Sequence, residues 1–352
     1  MRDSLKIAIA GATGYVGLEL IKILSIHPKV KIIFLCANKS IGKFISSFDK
    51  NIKKKLPKII SVKDVDFNKI DIIFTALPNG EAQKIAKKIP YKVRLIDLSA
   101  DFRLNDYKEY EKCYKIKHQS KNLIKKSIYA ITEFTRNKLP NYSIISCPGC
   151  YSTSIQLPLI PLVKNKMINT KNIIIDSKSG YSGAGKSIKK KFRYKNLFNS
   201  VSAYSVGFHK HMAEIDQQLS IASKKKIRVF FTPHLIPMYR GILSTIYLDS
   251  TGRNNALSIY KYLKKYHKKN SFIKIARFNS FIGTGDVMNT NYCKISVCVD
   301  RDKKKIIIIS VIDNLIKGAS GQAVQNMNVA YKLRETLGLK WNILFMYYLY
   351  LH

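Results

Sequence analysis

Short apolar runs alternate with longer amphipathic stretches along the first part of the chain. The run KIAIA at 6–10 has the composition of a buried strand, and a glycine-rich turn with apolar residues at helical spacing follows it. The strand pattern returns in VKIIFLC, DIIFTALPNG and VRLIDLSADFR, which begin at Val30, Asp71 and Val93. Strands that alternate with helices in this way predict an α/β fold with a doubly wound parallel sheet.

The pattern changes after Cys150. The apolar runs become longer, as in RVFFTPH, ILSTIYLD, KISVCVD and KKIIIISVID, and they fit the strands of an α+β second domain. A helical pattern at about 321–337 closes the chain. We therefore predict a first domain at 1–149, completed by the C-terminal segment 322–352, and a second domain at 150–321.

Composition places the chain among ordinary globular proteins. It has 352 residues, 46% of them hydrophobic and 24% charged, which is enough for two hydrophobic cores. Six cysteines in a chain of this length are too few for a secreted disulfide scaffold and show no repeated ligand pairing, which predicts a reducing, cytoplasmic setting. The N-terminus lacks the apolar core of a signal peptide, and the apolar end WNILFMYYLYLH is far shorter than the ~20 residues of a membrane span. We expect no membrane association.

The formal charge of +40 raises the question of a nucleic-acid partner. The basic runs NIKKKLPK, SIKKKFRYK and SKKKIRV are scattered and have few aromatic residues between them. Lysine, isoleucine and asparagine are all abundant, and all three have A/T-rich codons. We attribute the charge to genome base composition and expect no nucleic-acid partner, with nucleic-acid binding kept as an alternative.

Three glycines follow the first strand at a spacing of three. Gly11, Gly14 and Gly17 lie between a strand and a helix, where a turn would receive the pyrophosphate of a dinucleotide on backbone N–H groups. The segment after the second strand, CANKS, carries Lys39 and no acidic residue. An acid there would favour NAD, whereas a cation suits a ribose 2′-phosphate, so we predict NADP.

A second nucleotide motif competes with the first. The segment GYSGAGKS at 180–187 matches the P-loop pattern, follows a strand, and has an acid available at Asp313. The sequence after it, however, is a poor amphipathic helix, and an ATP site would leave the N-terminal glycine turn unexplained. A P-loop ATPase is therefore the weaker alternative.

The segment CPGC at 147–150 admits three interpretations. A redox pair would lie directly after the first strand of a domain, and a zinc site would need two further ligands, neither of which is evident, so we expect no metal. Cys150 lies at the start of the helical pattern YSTSIQLPLIPLV, where the helix dipole stabilises a thiolate and N–H groups can receive an oxyanion. Cys150 is therefore predicted to be a nucleophile in acyl chemistry.

Several segments in the same order resemble one enzyme family. They are PGCYSTSIQLPLIPL, IDLSADFR, IYAITEFTR, SGYSGAGKS, GFHKHMAEIDQ, FTPHLIPMYRGILSTIY and IDNLIKGASGQAVQNMN. Between about residues 5 and 339 the chain resembles the N-acetyl-gamma-glutamyl-phosphate reductases of arginine biosynthesis, which are related to aspartate-semialdehyde dehydrogenases. The resemblance implies a Rossmann-type NADP-binding domain and an α+β catalytic and dimerisation domain.

The resemblance also implies roles for individual residues. Cys150 would be the nucleophile, His211 the acid/base with His209 as the reserve, and Arg103 the ligand of a small-molecule acyl phosphate. The implied cofactor-binding residues are Gly11, Thr13, Gly14, Tyr15, Val16, Gly17, Lys39, Ser182, Gly183, Ala184 and Gly185. The P-loop match would then be coincidental, and the enzyme would be a homo-oligomer.

Some positions depart from the family. Cys147 replaces a usual asparagine, and Ser152 and Met212 stand where proline is common. A proline at the latter position would begin the helix after HKH, so we expect a less rigid loop there. His118 and His234 are expected to have structural roles, and Cys36, Cys113, Cys293 and Cys298 are expected to be packing residues. The sequence leaves open carrier-linked or longer relatives of the substrate.

Overall fold

A computed structural model describes residues 4–185, 199–252, 254–302 and 304–339. Its strands are β1 (Leu5–Ala10), β2 (Val30–Cys36), β3 (Ile59–Ile60), β4 (Ile72–Thr75), β5 (Arg94–Asp97), β6 (Ser127–Tyr129), β7 (Ile144–Ser146), β8 (Ile174–Gly180), β9 (Ser202–Ala203), β10 (Phe230–Ile236), β11 (Ile242–Asp249), β12 (Ile273–Ile275), β13 (Cys293–Val299) and β14 (Lys305–Ile312). Its α-helices are α1 (Tyr15–Ser25), α2 (Glu81–Ala86), α3 (Tyr107–Tyr114), α4 (Lys121–Ile124), α5 (Thr132–Thr135), α6 (Cys150–Lys164), α7 (His211–Ser223), α8 (Ala256–Tyr266) and α9 (Gly321–Ala330).

The first sheet is entirely parallel. Its seven strands have the order β3-β2-β1-β4-β5-β7-β6, so the chain runs outward from β1 in both directions. The central strands are apolar and fully buried, as at Ile7–Ala10 and Ile72–Phe74, because helices cover both faces of such a sheet. This confirms the predicted doubly wound α/β fold, and the order reverses next to β1, where ligands bind in such sheets.

The second sheet is mixed. Its order is β12-β13-β14-β11-β8-β10-β9, with parallel pairing in β8–β10 and β12–β13 and antiparallel pairing elsewhere. Helix α6 lies on its buried face, where the Ser154 hydroxyl is 2.7 Å from that of Ser244, which accepts a 2.8 Å bond from Ser177. The α+β second domain is therefore confirmed, and the sheet supports the helix that begins with Cys150.

The described residues form two compact units. One comprises 4–105, 117–147 and 319–339, and the other comprises 106–116, 148–185, 199–252, 254–302 and 304–318. Helix α3 falls in the second unit, where the Lys210 ammonium lies 5.2 Å from the centre of the Tyr114 ring. Nothing in the hydrophobic pattern of the sequence indicates this excursion, because it depends on contacts with a distant segment.

The last helix is shorter than predicted. Instead of continuing to 337, α9 ends at Ala330, and Lys332 adopts a left-handed backbone conformation with φ 58°. The Asn328 amide donates to the carbonyl oxygens of Glu335 and Leu337, so a side chain holds the following segment in a non-helical path. The apolar tail 340–352 lies outside the described residues. Within the described ranges, no helix is long and apolar enough to cross a membrane.

Candidate active site

Cys150 is the first residue of α6, as predicted. Gly149 precedes it in an extended conformation (φ −66°, ψ 152°), and the first intrahelical bond runs from the Thr153 N–H to the Gly149 carbonyl at 2.9 Å. The N–H groups before Thr153 therefore point beyond the helix N-terminus, together with the positive end of the helix dipole. The half-buried thiol is placed where both a thiolate and an oxyanion are stabilised.

Two glycines make room around this thiol. A Cβ atom added to Gly149 would lie 2.3 Å from His211 Nε2, and one added to Gly318 would lie 2.7 Å from Cys150 Cβ. Neither distance is compatible with a side chain. The imidazole of His211 therefore lies directly against the residue that precedes the nucleophile.

His211 begins helix α7 and has a buried carboxylate beside it. Glu214, three residues further on the same face, is fully buried, and its Oε1 is 3.8 Å from His211 Nε2. Its Oε2 accepts a 3.0 Å hydrogen bond from the Gly149 N–H. One carboxylate thus contacts both the turn before Cys150 and the imidazole.

His209 is held in an aromatic cage. Its ring lies 5.4–5.5 Å, centre to centre, from the rings of Tyr151, Tyr204 and Phe231. Burial lowers the pKa of His209 to about 2, and the neighbouring His211 imidazole adds to the effect. His209 Nδ1 accepts the backbone N–H of His211 at 3.1 Å. This bond closes the turn before α7 despite the missing proline at Met212.

Cys147 is chemically unlike Cys150. Its thiol is buried, contacts the Asn326 amide nitrogen at 3.7 Å, and has a pKa raised by burial to about 12. Both cysteines are free thiols. A buried neutral thiol is a poor partner for thiol–disulfide exchange, which depends on thiolate and access, so this environment disfavours the redox-pair alternative.

Arg103 is a buried cation in the first unit. Its Nε donates to the Cys147 carbonyl at 2.9 Å and its Nη2 donates to the Leu98 carbonyl at 3.1 Å. The preceding segment is stabilised by Asp101, which accepts the N–H groups of Gly80 and Gln83. The guanidinium is therefore held rigidly at the carboxyl edge of β5.

The N-terminal glycine turn has the close backbone packing that a dinucleotide site needs. Gly11 has φ +90°, and a Cβ there would lie 2.2 Å from the Ala76 carbonyl oxygen. A Cβ at Gly17 would lie 2.2 Å from the Gly11 carbonyl oxygen. Gly14 caps α1, whose first turn contains the predicted contacts Tyr15, Val16 and Gly17, and Thr13 lies in the turn itself. The cradle fits the phosphates of a dinucleotide.

Lys39 lies near the same turn. The N–H groups of Gly11 and Ala12 both donate to the carbonyl of Cys36, the last residue of β2, at 2.9 and 3.0 Å. Lys39 follows three residues later and is exposed. The end of β2 is therefore adjacent to the phosphate cradle, and the contact of Lys39 with a ribose 2′-phosphate stays a prediction.

The P-loop-like segment does not form a strand–loop–helix unit over its described part. Strand β8 extends to Gly180, and Tyr181–Ala184 forms a short 3-10 turn in which Ser182 Oγ accepts from the Asn314 amide at 2.9 Å. Asp313, the candidate acid, instead pairs with Arg240 Nε at 2.8 Å. Lys186 and Ser187 of the motif lie outside the described residues.

His118, His234 and the other four cysteines have structural surroundings. His118 bonds the Asp101 carbonyl and the Ser120 N–H, and His234 Nδ1 lies 3.4 Å from Asp176. Cys36, Cys293 and Cys298 are buried, whereas Cys113 is half-buried beside Glu109. Across the described ranges, no group of three or more His, Cys, Asp or Glu side chains could hold a metal ion.

Glu214 was not among the site residues predicted from the sequence. The available sign was its spacing: in HKHMAEIDQ an acid follows His211 by three residues, which places both on one helix face. That spacing is common on exposed helices, so only the burial of Glu214 distinguishes it.

Comparisons with known proteins agree with this arrangement. Residues 6–142 match the semialdehyde dehydrogenase NAD binding domain, and residues 150–314 match the semialdehyde dehydrogenase dimerisation domain. A probable chloroplastic N-acetyl-gamma-glutamyl-phosphate reductase of Oryza sativa is 42% identical over 97% of this chain and 83% of its own length. The N-acetyl-gamma-glutamyl-phosphate reductase of Ehrlichia canis is 41% identical over 96% of this chain and 98% of its own.

Solved structures show the same fold at lower identity. Aspartate semialdehyde dehydrogenase II of Vibrio cholerae superposes with a TM-score of 0.70 at 18% identity, covering 94% of this chain and 98% of its own. The Candida albicans aspartate semialdehyde dehydrogenase, solved with NADP, gives 0.66 at 16% identity over 93% and 98%. Because these relatives are at least 41% identical over nearly the whole chain and both domains match, this chain belongs to the N-acetyl-gamma-glutamyl-phosphate reductase family of the semialdehyde dehydrogenases.

Proposed function

We propose that this protein reduces N-acetyl-glutamyl 5-phosphate to N-acetyl-glutamate 5-semialdehyde and phosphate with NADPH, as a step of arginine biosynthesis. The names of the relatives support this substrate. The observation that carries the proposal is the half-buried Cys150 thiol at a helix N-terminus, flanked by His211 and its buried carboxylate. This arrangement suits acyl transfer through a thioester.

In the first step, the Cys150 thiolate attacks the acyl carbonyl carbon. The developing oxyanion is stabilised by N–H groups at the start of α6 and by the helix dipole. Collapse of the tetrahedral intermediate breaks the bond between the carbonyl carbon and the phosphate oxygen. A thioester and inorganic phosphate result.

We assign the departing phosphate to Arg103. The assignment rests on the family resemblance of SADFR and is supported by the buried guanidinium, which is fixed by the Leu98 and Cys147 carbonyls. A planar guanidinium that is already oriented loses little entropy when it binds a phosphate.

The residues assigned to the cofactor are the glycine turn at 11–17, Lys39, and Ser182–Gly185. The first two are supported by the backbone cradle and by the exposed cation beyond β2. In the segment Ser182–Gly185, Ser182 accepts a hydrogen bond from Asn314. Gly185 has φ +78°, a conformation that glycine adopts without strain, and it has no side chain that could block a ligand from its backbone. When bound, NADPH supplies the hydride that reduces the thioester.

His211 handles the proton of the second step. It protonates the oxygen of the thiohemiacetal held on Cys150 and removes that proton again as the carbon–sulfur bond breaks to give the aldehyde. His209 is unsuited to this role, because a pKa of about 2 and a bond to the His211 N–H keep it neutral and occupied. Its role is to position His211.

The test is the reverse reaction. With N-acetylglutamate semialdehyde and NADP, we expect reduction of NADP that depends strictly on added phosphate, because phosphate must cleave the thioester. Cys150→Ser protein is the control. Reduction of NADP without phosphate, or no reduction at all by the wild-type chain, would contradict the proposal.

We also propose that two copies associate through the open face of the second sheet. Phe230, Ile174, Tyr247 and Ile307 form one cross-strand row on the face opposite Ser177 and Ser244. Phe230 is 61% exposed, Ile174 49% and Tyr247 42%. An apolar row of this size on an exposed sheet face fits a second copy, and the match to a dimerisation domain supports that occupant.

Phe230→Glu should convert the assembled protein to monomers in analytical ultracentrifugation, because it places charge within the apolar row. Tyr91→Glu is a matched control on the other unit, where Tyr91 is 91% exposed. An unchanged sedimentation coefficient for Phe230→Glu, or a monomeric wild type, would exclude this interface.

We propose a cytoplasmic location from the free cysteines.

A further inference from the structure

We infer that Glu214 is a positioning residue that sets the proton affinity and the tautomer of His211. The inference rests on the proposed function. It adds a buried carboxylate to the machinery, and its evidence is the placement of that carboxylate between the Gly149 N–H and the His211 ring.

The burial of Glu214 calls for a functional explanation. Its side chain is fully buried on α7. Removing a carboxylate from water is costly, and an apolar residue of similar size would usually serve the stability of the helix as well. The Glu214 backbone carbonyl also accepts from the Gln156 amide at 3.2 Å, so α7 is joined to α6 by a bond that does not involve the carboxylate.

The carboxylate has a directed effect on His211. With Oε1 3.8 Å from Nε2, it favours the imidazolium over the neutral ring. In the neutral ring it favours the tautomer with hydrogen on Nε2.

The other groups around His211 do not supply this effect. Among the described residues, the titratable groups that face it or flank it come from α6, α7 and the preceding turn: Cys150, Tyr151, His209, Lys210 and Glu214. Burial lowers the pKa of His209 and keeps it neutral, and the positive charge of Lys210 acts on His209 in the same direction. Phe231, which packs on the cage from β10, has no proton to exchange. Glu214 is therefore the group that favours a protonated His211.

The same carboxylate fixes the turn before the nucleophile. Oε2 accepts the Gly149 N–H at 3.0 Å, so Glu214 ties the start of α6 to the start of α7. A glutamine would retain one oxygen acceptor for this bond while removing the charge. Glu214→Gln therefore separates the electrostatic role from the structural one.

The experiment compares wild type, Glu214→Gln and Asp216→Asn in the phosphate-dependent reverse reaction between pH 5 and 9. Asp216 is a matched control: it lies on the same helix and accepts the Val229 N–H, and an asparagine can do the same. In this direction His211 acts as a base, so the pH–rate profile has an acidic limb on which activity rises as the imidazolium loses its proton. Without the carboxylate, this acidic limb should move to lower pH by about one unit, and kcat should fall by something like 10²-fold.

Alkylation of Cys150 by iodoacetamide at pH 8 provides a readout that does not need turnover. In Glu214→Gln we expect its rate constant to stay within about threefold of wild type. The inference would be overturned if Glu214→Gln had the kcat of the wild type and an unshifted acidic limb. It would also be overturned if this variant lost turnover while the acidic limb stayed where it is in the wild type. Parallel loss of turnover and alkylation would reduce Glu214 to a structural role and overturn it as well. Failure of the proposed function differs from all of these, because the wild type itself would then be inactive.

Discussion

The segment 147–150 contains two thiols and the segment 209–211 contains two imidazoles. In each pair the structure gives the two groups different environments. The two thiols differ in their position relative to helix α6: Cys150 begins the helix and is half-buried, whereas Cys147 is buried and has a pKa raised to about 12. The two imidazoles differ in the side chains around them: His209 is enclosed by aromatic rings, and His211 lies beside a carboxylate. Reactivity therefore depends on the environment and not on residue type.

The largest expected effect is that of Cys150→Ser. A serine hydroxyl is far less acidic than a thiol, so the helix N-terminus cannot supply a nucleophilic anion, and turnover should fall by more than about 10⁴-fold. The measurement is phosphate-dependent NADP reduction, with the circular dichroism spectrum as the folding control. If the serine variant kept substantial activity while Cys147→Asn lost it, the two thiols would have been assigned the wrong way round.

His211→Asn should have the next largest effect. Loss of the acid/base should lower kcat by about 10²–10⁴-fold, while alkylation of Cys150 shows that the nucleophile is still presented. The decisive comparison is with His209→Asn under the same conditions. A larger loss in the latter variant would reverse the roles of the two histidines.

His209→Asn should cost about tenfold or less in kcat. An asparagine oxygen can accept the N–H two residues ahead, which is the bond that His209 Nδ1 now makes to His211. His209→Leu, which cannot accept this bond, should be clearly slower than His209→Asn. Since the pKa of His209 is lowered to about 2, the pH–rate profile between pH 5 and 9 should contain no contribution from it. Equal activity of the asparagine and leucine variants would argue against the positioning role.

Cys147→Asn should leave turnover within about threefold of wild type. Because burial raises the thiol pKa to about 12, Cys147 stays protonated from pH 6 to 10, and a protonated thiol does not react with iodoacetamide. The half-time of Cys150 alkylation and of inactivation should therefore be the same in both proteins. Mass spectrometry of tryptic peptides measures this, and early labelling of Cys147 in the wild type would contradict it.

The last prediction concerns Lys39 and is measured as cofactor preference. Lys39→Ala should reduce the preference for NADPH over NADH by about tenfold, through a higher KM for NADPH, because one charged contact contributes about 1.5–3 kcal/mol when well ordered and less when exposed. Lys43→Ala, in the same loop, is the control. Equal efficiency of the wild type with NADPH and NADH would remove the basis of this assignment.

The sequence alone determined the architecture and the position of the candidate nucleophile at a helix start. Apolar runs at strand spacing and glycines at a strand–helix junction are local patterns, and the doubly wound sheet follows from them because buried parallel strands must be apolar. The place of Cys150 at the start of α6 was predictable because a helix start is also local: it depends on the residues that follow.

The tertiary structure decided what depends on distant neighbours. The transfer of α3 to the second unit and the early end of α9 both result from contacts that no periodicity encodes. The distinction between His209 and His211, and the role of Glu214, likewise depend on burial, because the pKa and charge of a side chain are set by surroundings that lie close in space and far apart in sequence.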